Sequence, residues 1–237
     1  MSRVVAFGCS FTYGHGLRDC LGQDNHPSPV PSRFAYPQVY ANKTNRKCLN
    51  CSWPGASNKH IAKRAVEFAY NENDTVLIMW TYFDRNSLFT EQKDFPIDFS
   101  AWQADDNLLS NAIEDTEESQ KQSILAKAFY SHFWTEYDVA FSNLMLINSV
   151  DHIVRSQLTD GQLIHLSVPS IIDSDNADCL SAITQSEKSQ NIFKWNTVTP
   201  INSFDAYHNN DKANDDWHPG QKAHSVLADT LVNYISG

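Results

Sequence analysis

No apolar run in the chain approaches the ~20 residues that a helix needs to cross a bilayer. The longest clean ones, such as Val76-Leu77-Ile78-Met79-Trp80, are strand-sized, so no membrane span is expected. The N-terminus offers one Arg3 and then only Val4 to Phe7 before a glycine, shorter than the ~7 to 15 apolar residues of a signal peptide. A cytoplasmic protein is therefore expected. Basic charge is also scarce. The 18 Lys+Arg stand against 28 Asp+Glu, and the net charge of -10 repels a phosphate backbone before any groove contact is made. Nucleic acid is excluded as a partner on that ground. Cysteine pairs are missing as well: the five cysteines are odd in number, and Cys48 and Cys51 form a lone CxxC with no second pair or nearby histidine to complete a zinc site. All five are read as thiols. A redox CxxC belongs at a helix start, whereas Cys48 to Cys51 looks like the end of a strand.

What remains is ordinary in composition. Hydrophobic residues make up 41% and charged residues 19% of the 237, which suits a soluble globular chain with one core. A single domain over 1–237 is expected, with no internal repeat and no low-complexity tract. Arg3 to Phe7 reads as a buried strand feeding a loop, Arg33 to Asn42 as a short helix, and Lys47 to Cys51 as a second strand. Ser57 is placed to cap a helix on which Ile61, Ala62, Ala65, Val66 and Ala69 recur on one face. Thr75 to Trp80 is the third strand. This alternation, with short connections, argues for a parallel sheet with right-handed crossovers.

Residues 84–120 break the rhythm with Pro96, scattered aromatics and an acidic patch at Glu114, Asp115, Glu117 and Glu118, and read as an insertion. Its Phe89, Phe95, Phe99 and Trp102 either line a substrate cleft or anchor a long loop to the core. A long helical stretch from about Gln122 to Leu158, with room for an interruption, leads to a fourth strand, Gln162 to Val168. Ile192 to Val198 is a fifth. Pro219 suits a helix N1 position, and Ala223, Val226, Leu227, Leu231 and Ile235 give the last helix its buried face.

Two stretches carry residues suited to chemistry. Gly8-Cys9-Ser10-Phe11-Thr12-Tyr13-Gly14 follows the first strand, at the strand end where open sheets put ligands. A serine there can present its hydroxyl while neighbouring backbone N–H groups hold an oxyanion; a helix-capping serine after a glycine turn has the same sequence. A phosphate-cradling loop would need a lysine that is absent. In Asp215-Asp216-Trp217-His218-Pro219-Gly220, a carboxylate precedes a histidine by three residues. That spacing can bring Asp215 to His218 Nδ1 and leave Nε2 to take a proton from a hydroxyl, with Asp216 pointing elsewhere. A capping aspartate beside a surface histidine is the plainer alternative.

Together, and in this order, the two motifs resemble the SGNH (GDSL-type) hydrolase family. The resemblance implies a flavodoxin-like three-layer α/β/α fold with a central, mostly parallel sheet of about five strands. It makes Ser10 the nucleophile and, through its own N–H, an oxyanion donor, His218 the general base, and Asp215 its orienter. Asn50-Cys51-Ser52-Trp53-Pro54-Gly55-Ala56-Ser57-Asn58 repeats the family's Asn, four residues, then Gly, which implies Gly55 as the second N–H donor, although a Pro-Gly turn looks identical. Two departures stand out: Cys9 replaces the family's Asp before the serine, and Trp80-Thr81-Tyr82-Phe83-Asp84-Arg85-Asn86 lacks its Gly-x-Asn-Asp. The side-chain oxyanion donor is left among Thr81, Asn58 and Asn86. Arg85 is placed either to bind an anionic substrate or, more plainly, to form a surface ion pair. The expected activity is hydrolysis of a small-molecule or carbohydrate ester through an acyl-enzyme, needing no metal or organic cofactor. The rivals are acyl transfer to a sugar or other alcohol, a catalytically silent binding protein, and a Cys9 nucleophile.

Overall fold

Alternating side chains decide how the first strand is used. In the computed structural model, which describes residues 2–22, 26–91, 96–104, 117–168 and 211–236, Val4 and Ala6 enter one apolar cluster and Val5 and Phe7 another. A strand apolar on both faces belongs inside a parallel sheet covered on both sides. The elements run β1 (Arg3–Phe7), α1 (Ser10–Tyr13), α2 (Tyr36–Lys43), β2 (Lys47–Asn50), α3 (Asn58–Val66), β3 (Thr75–Trp80), β4 (Asn86–Leu88), β5 (Ile97–Phe99), a 3-10 turn at Ala101–Ala104, α4 (Glu117–His132), α5 (Glu136–Arg155), β6 (Gln162–Ser167) and α6 (Gln221–Ser236).

The described sheet has four parallel strands in the order β2-β1-β3-β6. Residues of α2 and α6 cover the face carrying Val4, Ala6, Leu77 and Met79, and residues of α3 and α5 cover the face carrying Val5, Phe7, Val76 and Ile78. The α2 crossover carries the chain from β1 to β2 on one face, and the α3 crossover carries it from β2 past β1 to β3 on the other. In this order the strand sequence reverses between β1 and β3, and ligands of open sheets bind at the carboxyl ends of the strands at such a point. The predicted strand at 192–198 lies outside the described residues.

Several boundaries differ from expectation. The segment expected as a helix from Arg33 begins it only at Tyr36, because Ser32 is engaged with Asp19 and its Oγ accepts from Phe34 N at 3.0 Å. The second strand stops at Asn50. The long helical stretch is two helices, the second capped by Thr135, whose Oγ1 accepts from Asp138 N at 3.2 Å. Pro219 is not at N1 of the last helix: it bridges to Lys212, and Asp211 Oδ2 takes over as cap by accepting from Ala223 N at 2.9 Å.

The segment expected as an insertion opens with β4 and β5 paired as an antiparallel hairpin. Asp98 pins that hairpin to the start of α3. Its Oδ1 accepts from Ser57 N at 3.0 Å and Ser87 Oγ at 2.5 Å, and its Oδ2 lies 2.7 Å from His60 Nδ1. Phe99 is buried with its ring 5.7 Å from Phe129 and 6.3 Å from Tyr130, so it anchors the loop, whereas Phe89 and Trp102 stay exposed. Phe95 lies outside the described residues. Cys9, Cys20, Cys48 and Cys51 are free thiols, and burial pushes Cys48 up to about 12.

Candidate active site

The chain leaves β1 at Phe7 and makes one tight turn. Cys9 O accepts from Thr12 N at 3.1 Å and Tyr13 N at 3.0 Å, which sets Ser10 as the first residue of α1. Cys9 is wholly buried in the apolar cluster beneath. Ser10 Oγ makes no hydrogen bond with any described residue, and its N–H has no acceptor among them. Both groups of this serine are therefore uncommitted.

The Asp-x-x-His segment docks on the same turn. Asn214 N donates to Gly16 O at 3.0 Å, and the His218 ring centroid lies 5.5 Å from that of Phe11 and 4.6 Å from that of His15. Gly16 makes this docking possible. It sits at φ 83°, and a Cβ there would meet the Asp215 carboxylate; only glycine takes both the left-handed backbone and the contact. Asp215 Oδ1 accepts from Trp217 N and His218 N, each at 3.0 Å, and Oδ2 lies 2.7 Å from His218 Nδ1. This fixes Nδ1 as the protonated nitrogen and leaves Nε2 with no hydrogen bond to a described residue. Asp216 turns away at φ 61°.

Electrostatics keep the pair in its useful charge state. Burial lowers the His218 pKa below the ordinary imidazole value; the Asp215 carboxylate opposes this, while His15 and the Arg85 charge add to it. Burial raises Asp215, but hydrogen bonds from the His218 and Trp217 amides and the imidazole outweigh it and hold the carboxyl below its usual range. At neutral pH the site contains a neutral imidazole and an ionised carboxylate. Among the described residues, His15, Asp215 and His218 also form the one group able to share a metal ion, with donor atoms within 4.8 Å of one another. An ion held there would compete for the same imidazole.

On the other side of Ser10, Trp53 N donates to Gly8 O at 3.0 Å and ties the Pro54-Gly55 turn to the serine turn. Gly55 has φ 81°, open space where a Cβ would stand, and an N–H that meets no described acceptor. Ser57, not Asn58, caps α3, its Oγ accepting from His60 N at 3.3 Å. Asn58 points inward as a clamp: its Oδ1 accepts from Thr81 N at 2.8 Å, and its Nδ2 donates to Thr81 O at 3.1 Å and Asn143 Oδ1 at 2.8 Å. Its amide hydrogens are thus committed, whereas the buried Thr81 Oγ1 has no hydrogen-bond partner. Asn86 Oδ1 accepts from the adjacent Ser87 N at 2.9 Å.

Sequence reasoning did not reach Phe11, His15, Gly16 and Asn143. Only His15 and Gly16, close behind Ser10, carried a signal, as polar and glycine positions in the strand-end loop.

No protein-family model matches the sequence, and no curated protein matches it. Solved structures do share its fold. An acetyl xylan esterase from the rumen bacterium Butyrivibrio proteoclasticus superposes with a TM-score of 0.57 at 12% identity, covering 99% of this chain and 63% of its own. A carbohydrate esterase whose active site is described as having divergent catalytic and non-catalytic binding functions gives 0.56 at 12% identity, covering 99% of this chain and 68% of its own. A carbohydrate esterase family 2 enzyme with a carbohydrate-binding domain, from Corynascus, gives 0.52 at 13% identity and covers 100% of this chain and 66% of its own. The chain thus spans about two thirds of the length of these proteins and has the SGNH hydrolase-like α/β fold.

Proposed function

We propose that the protein is a serine ester hydrolase, an esterase or deacylase in which Ser10, His218 and Asp215 form a catalytic triad. The observation that carries this reading is the docking of the Asp215–His218 pair on the Ser10 turn through Gly16, Phe11 and His15. Ser10 Oγ attacks the ester carbonyl as His218 Nε2 takes its proton. The tetrahedral oxyanion is held by the N–H groups of Ser10 and Gly55. Of the side chains expected as a third donor, Thr81 keeps its hydroxyl unspent, whereas the Asn58 amide is committed. His218 returns the proton to the leaving alcohol and the carbonyl reforms as an acyl-enzyme. It then takes a proton from water as the water oxygen attacks the acyl carbon, and gives that proton to Ser10 Oγ as the ester bond to Ser10 breaks and the acid leaves. The Ser10–His218 hydrogen bond belongs to the Michaelis complex, where such contacts commonly tighten. Trp217, 80% exposed beside His218, and Trp53, 40% exposed beside the Gly55 turn, offer flat apolar faces to a sugar or acyl group.

Hydrolysis of p-nitrophenyl esters of graded acyl length tests the reading. Turnover should vanish in Ser10→Ala and survive in Cys9→Ser; the reverse pattern transfers the role to the thiol. With an alcohol acceptor in place of water, the same residues would transfer the acyl group, which product analysis separates. One observation favours a binding-only protein instead, the missing Gly-x-Asn-Asp after β3. That version shows ligand binding with no burst of acyl-enzyme.

A further inference from the structure

Where β3 ends, the chain turns through Tyr82 to Arg85, with Arg85 N donating to Tyr82 O at 3.3 Å. The Arg85 guanidinium lies over the Tyr82 ring, 5.4 Å from its centroid. Its Nη1 is buried and has no hydrogen-bond partner, and the surface ion pair expected for this residue is not formed among the described residues. Burial raises the carboxyl of Asp84, the next residue back, toward its neutral form, although the Arg85 charge opposes this. A buried cationic donor without a partner costs more than a neutral one, and such groups persist chiefly where they have a use.

Arg85 faces a cavity of about 140 Å³ beside the Asn58 clamp. Asn86 and Asn143 supply further polar groups, and Phe83 and Phe129 supply apolar wall. Lys59 and Asp138 also line it, and both are exposed, so solvent screens their charges. Arg85, half-buried in the cavity lining, is the cation there with a buried and unpartnered nitrogen, and a guanidinium fork suits a carboxylate or phosphate oxygen pair better than any neutral group. Its charge also reaches His218, so the cavity and the imidazole lie within electrostatic range of each other.

We propose that this cavity seats an anionic group carried by the substrate, a carboxylate or a phosphate, held by Arg85 with Asn86 and Asn143, while the ester bond lies at the Ser10 turn. The ester half rests on the hydrolase reading; the anion half stands without it. The substrate class is then an ester bearing a negative charge.

Calorimetric titration of the Ser10→Ala protein with glutarate, with inorganic phosphate and with neutral glutaramide tests the anion half without turnover. At least one anion should bind tenfold or more tighter than the diamide, and the identity of that anion separates carboxylate from phosphate. Adding Arg85→Gln should weaken it at least tenfold with the melting temperature unchanged, and Lys59→Gln by less than threefold. Anions that bind no better than glutaramide, or an Arg85→Gln protein that binds them as well as its parent, overturn the proposal. Should Arg85→Gln fail to fold, Arg85→Lys keeps the charge and removes the fork; an undiminished affinity there also overturns it. Kinetics then separate the two readings. Wild type should cleave mono-p-nitrophenyl glutarate at least tenfold faster than p-nitrophenyl butyrate in kcat/KM. Cleavage of both at equal rates sinks the anion site alone, whereas anion binding with no cleavage of either sinks the hydrolase reading alone.

Discussion

Two of the three imidazole–carboxylate pairs among the described residues look alike in isolation and differ in what surrounds them. His218 Nδ1 lies 2.7 Å from Asp215, and His165 Nε2 lies 3.0 Å from Asp151. Both imidazoles are pushed toward the neutral form, in each case by burial first. The His165 ring, however, spends its second nitrogen as well, accepting from Trp80 Nε1 at 2.9 Å while stacked on that indole, and its side chain is 2% exposed. His218 is 17% exposed, and its Nε2 is uncommitted among the described residues. An Asp–His pair is therefore not a mark of catalysis. The second nitrogen has to be unspent as well, and of these two pairs only His218 leaves it so among the described residues.

Matched substitutions break or sharpen this contrast. Asp215→Asn should lower kcat by ~10⁴ if Asp215 orients the base as in the reference triad, whereas Asp151→Asn should leave kcat within about threefold and lower unfolding free energy by about 1–3 kcal/mol for the disturbed hydrogen bond. Ester kinetics and urea melts on both variants read the two effects; equal losses of kcat would erase the distinction. Next in size, Gly16→Ala pushes a methyl group into the Asp215 carboxylate, and a shift of that kind costs about 10²-fold in rate when it displaces a catalytic group.

The pH dependence follows from the same pair. A base whose pKa is depressed is already neutral at lower pH, so kcat/KM should rise to a plateau with its inflection below the ordinary value of about 6.5. Removing the nearby positive charge in Arg85→Gln should move that inflection upward. Stability has the same sign. Burial pushes His224 down to about 3, and His165 and His218 are lowered too. The unfolded chain therefore binds protons first, so stability is full above pH ~6.5 and falls on acidification, by up to about 1.4 kcal/mol per pH unit for each such histidine. Denaturant melts between pH 7 and 4 check this, and His224→Gln should flatten the slope. The smallest effect is expected at the rim, where Trp217→Ala should raise KM a few-fold for a sugar or long acyl ester and leave kcat nearly unchanged.

What could be read from the sequence was what local physics decides. Thr75 to Trp80 announced itself as a buried strand, Ser57 as a cap, and Asp215 with His218 as a pair because three residues in one loop suffice to bring them together. The Asp98–His60 contact and the Asn58–Thr81–Asn143 clamp join residues far apart in the chain, and no spacing rule points to them. Gly16 was legible only as a glycine in the strand-end loop; its need for glycine arises from a carboxylate that arrives when the chain has folded. Pro219 was misplaced because a proline before a helix suits N1 in isolation, and its bridge to Lys212 is a tertiary fact.

The account turns on whether Ser10 is the activated hydroxyl, and covalent labelling with a fluorophosphonate followed by peptide mass mapping asks that directly. It should place the phosphonyl group on Ser10, with labelling slowed at least a hundredfold in His218→Ala and left near wild-type rate in His165→Ala. Labelling of another residue, or none at Ser10 in protein shown to be folded, contradicts it.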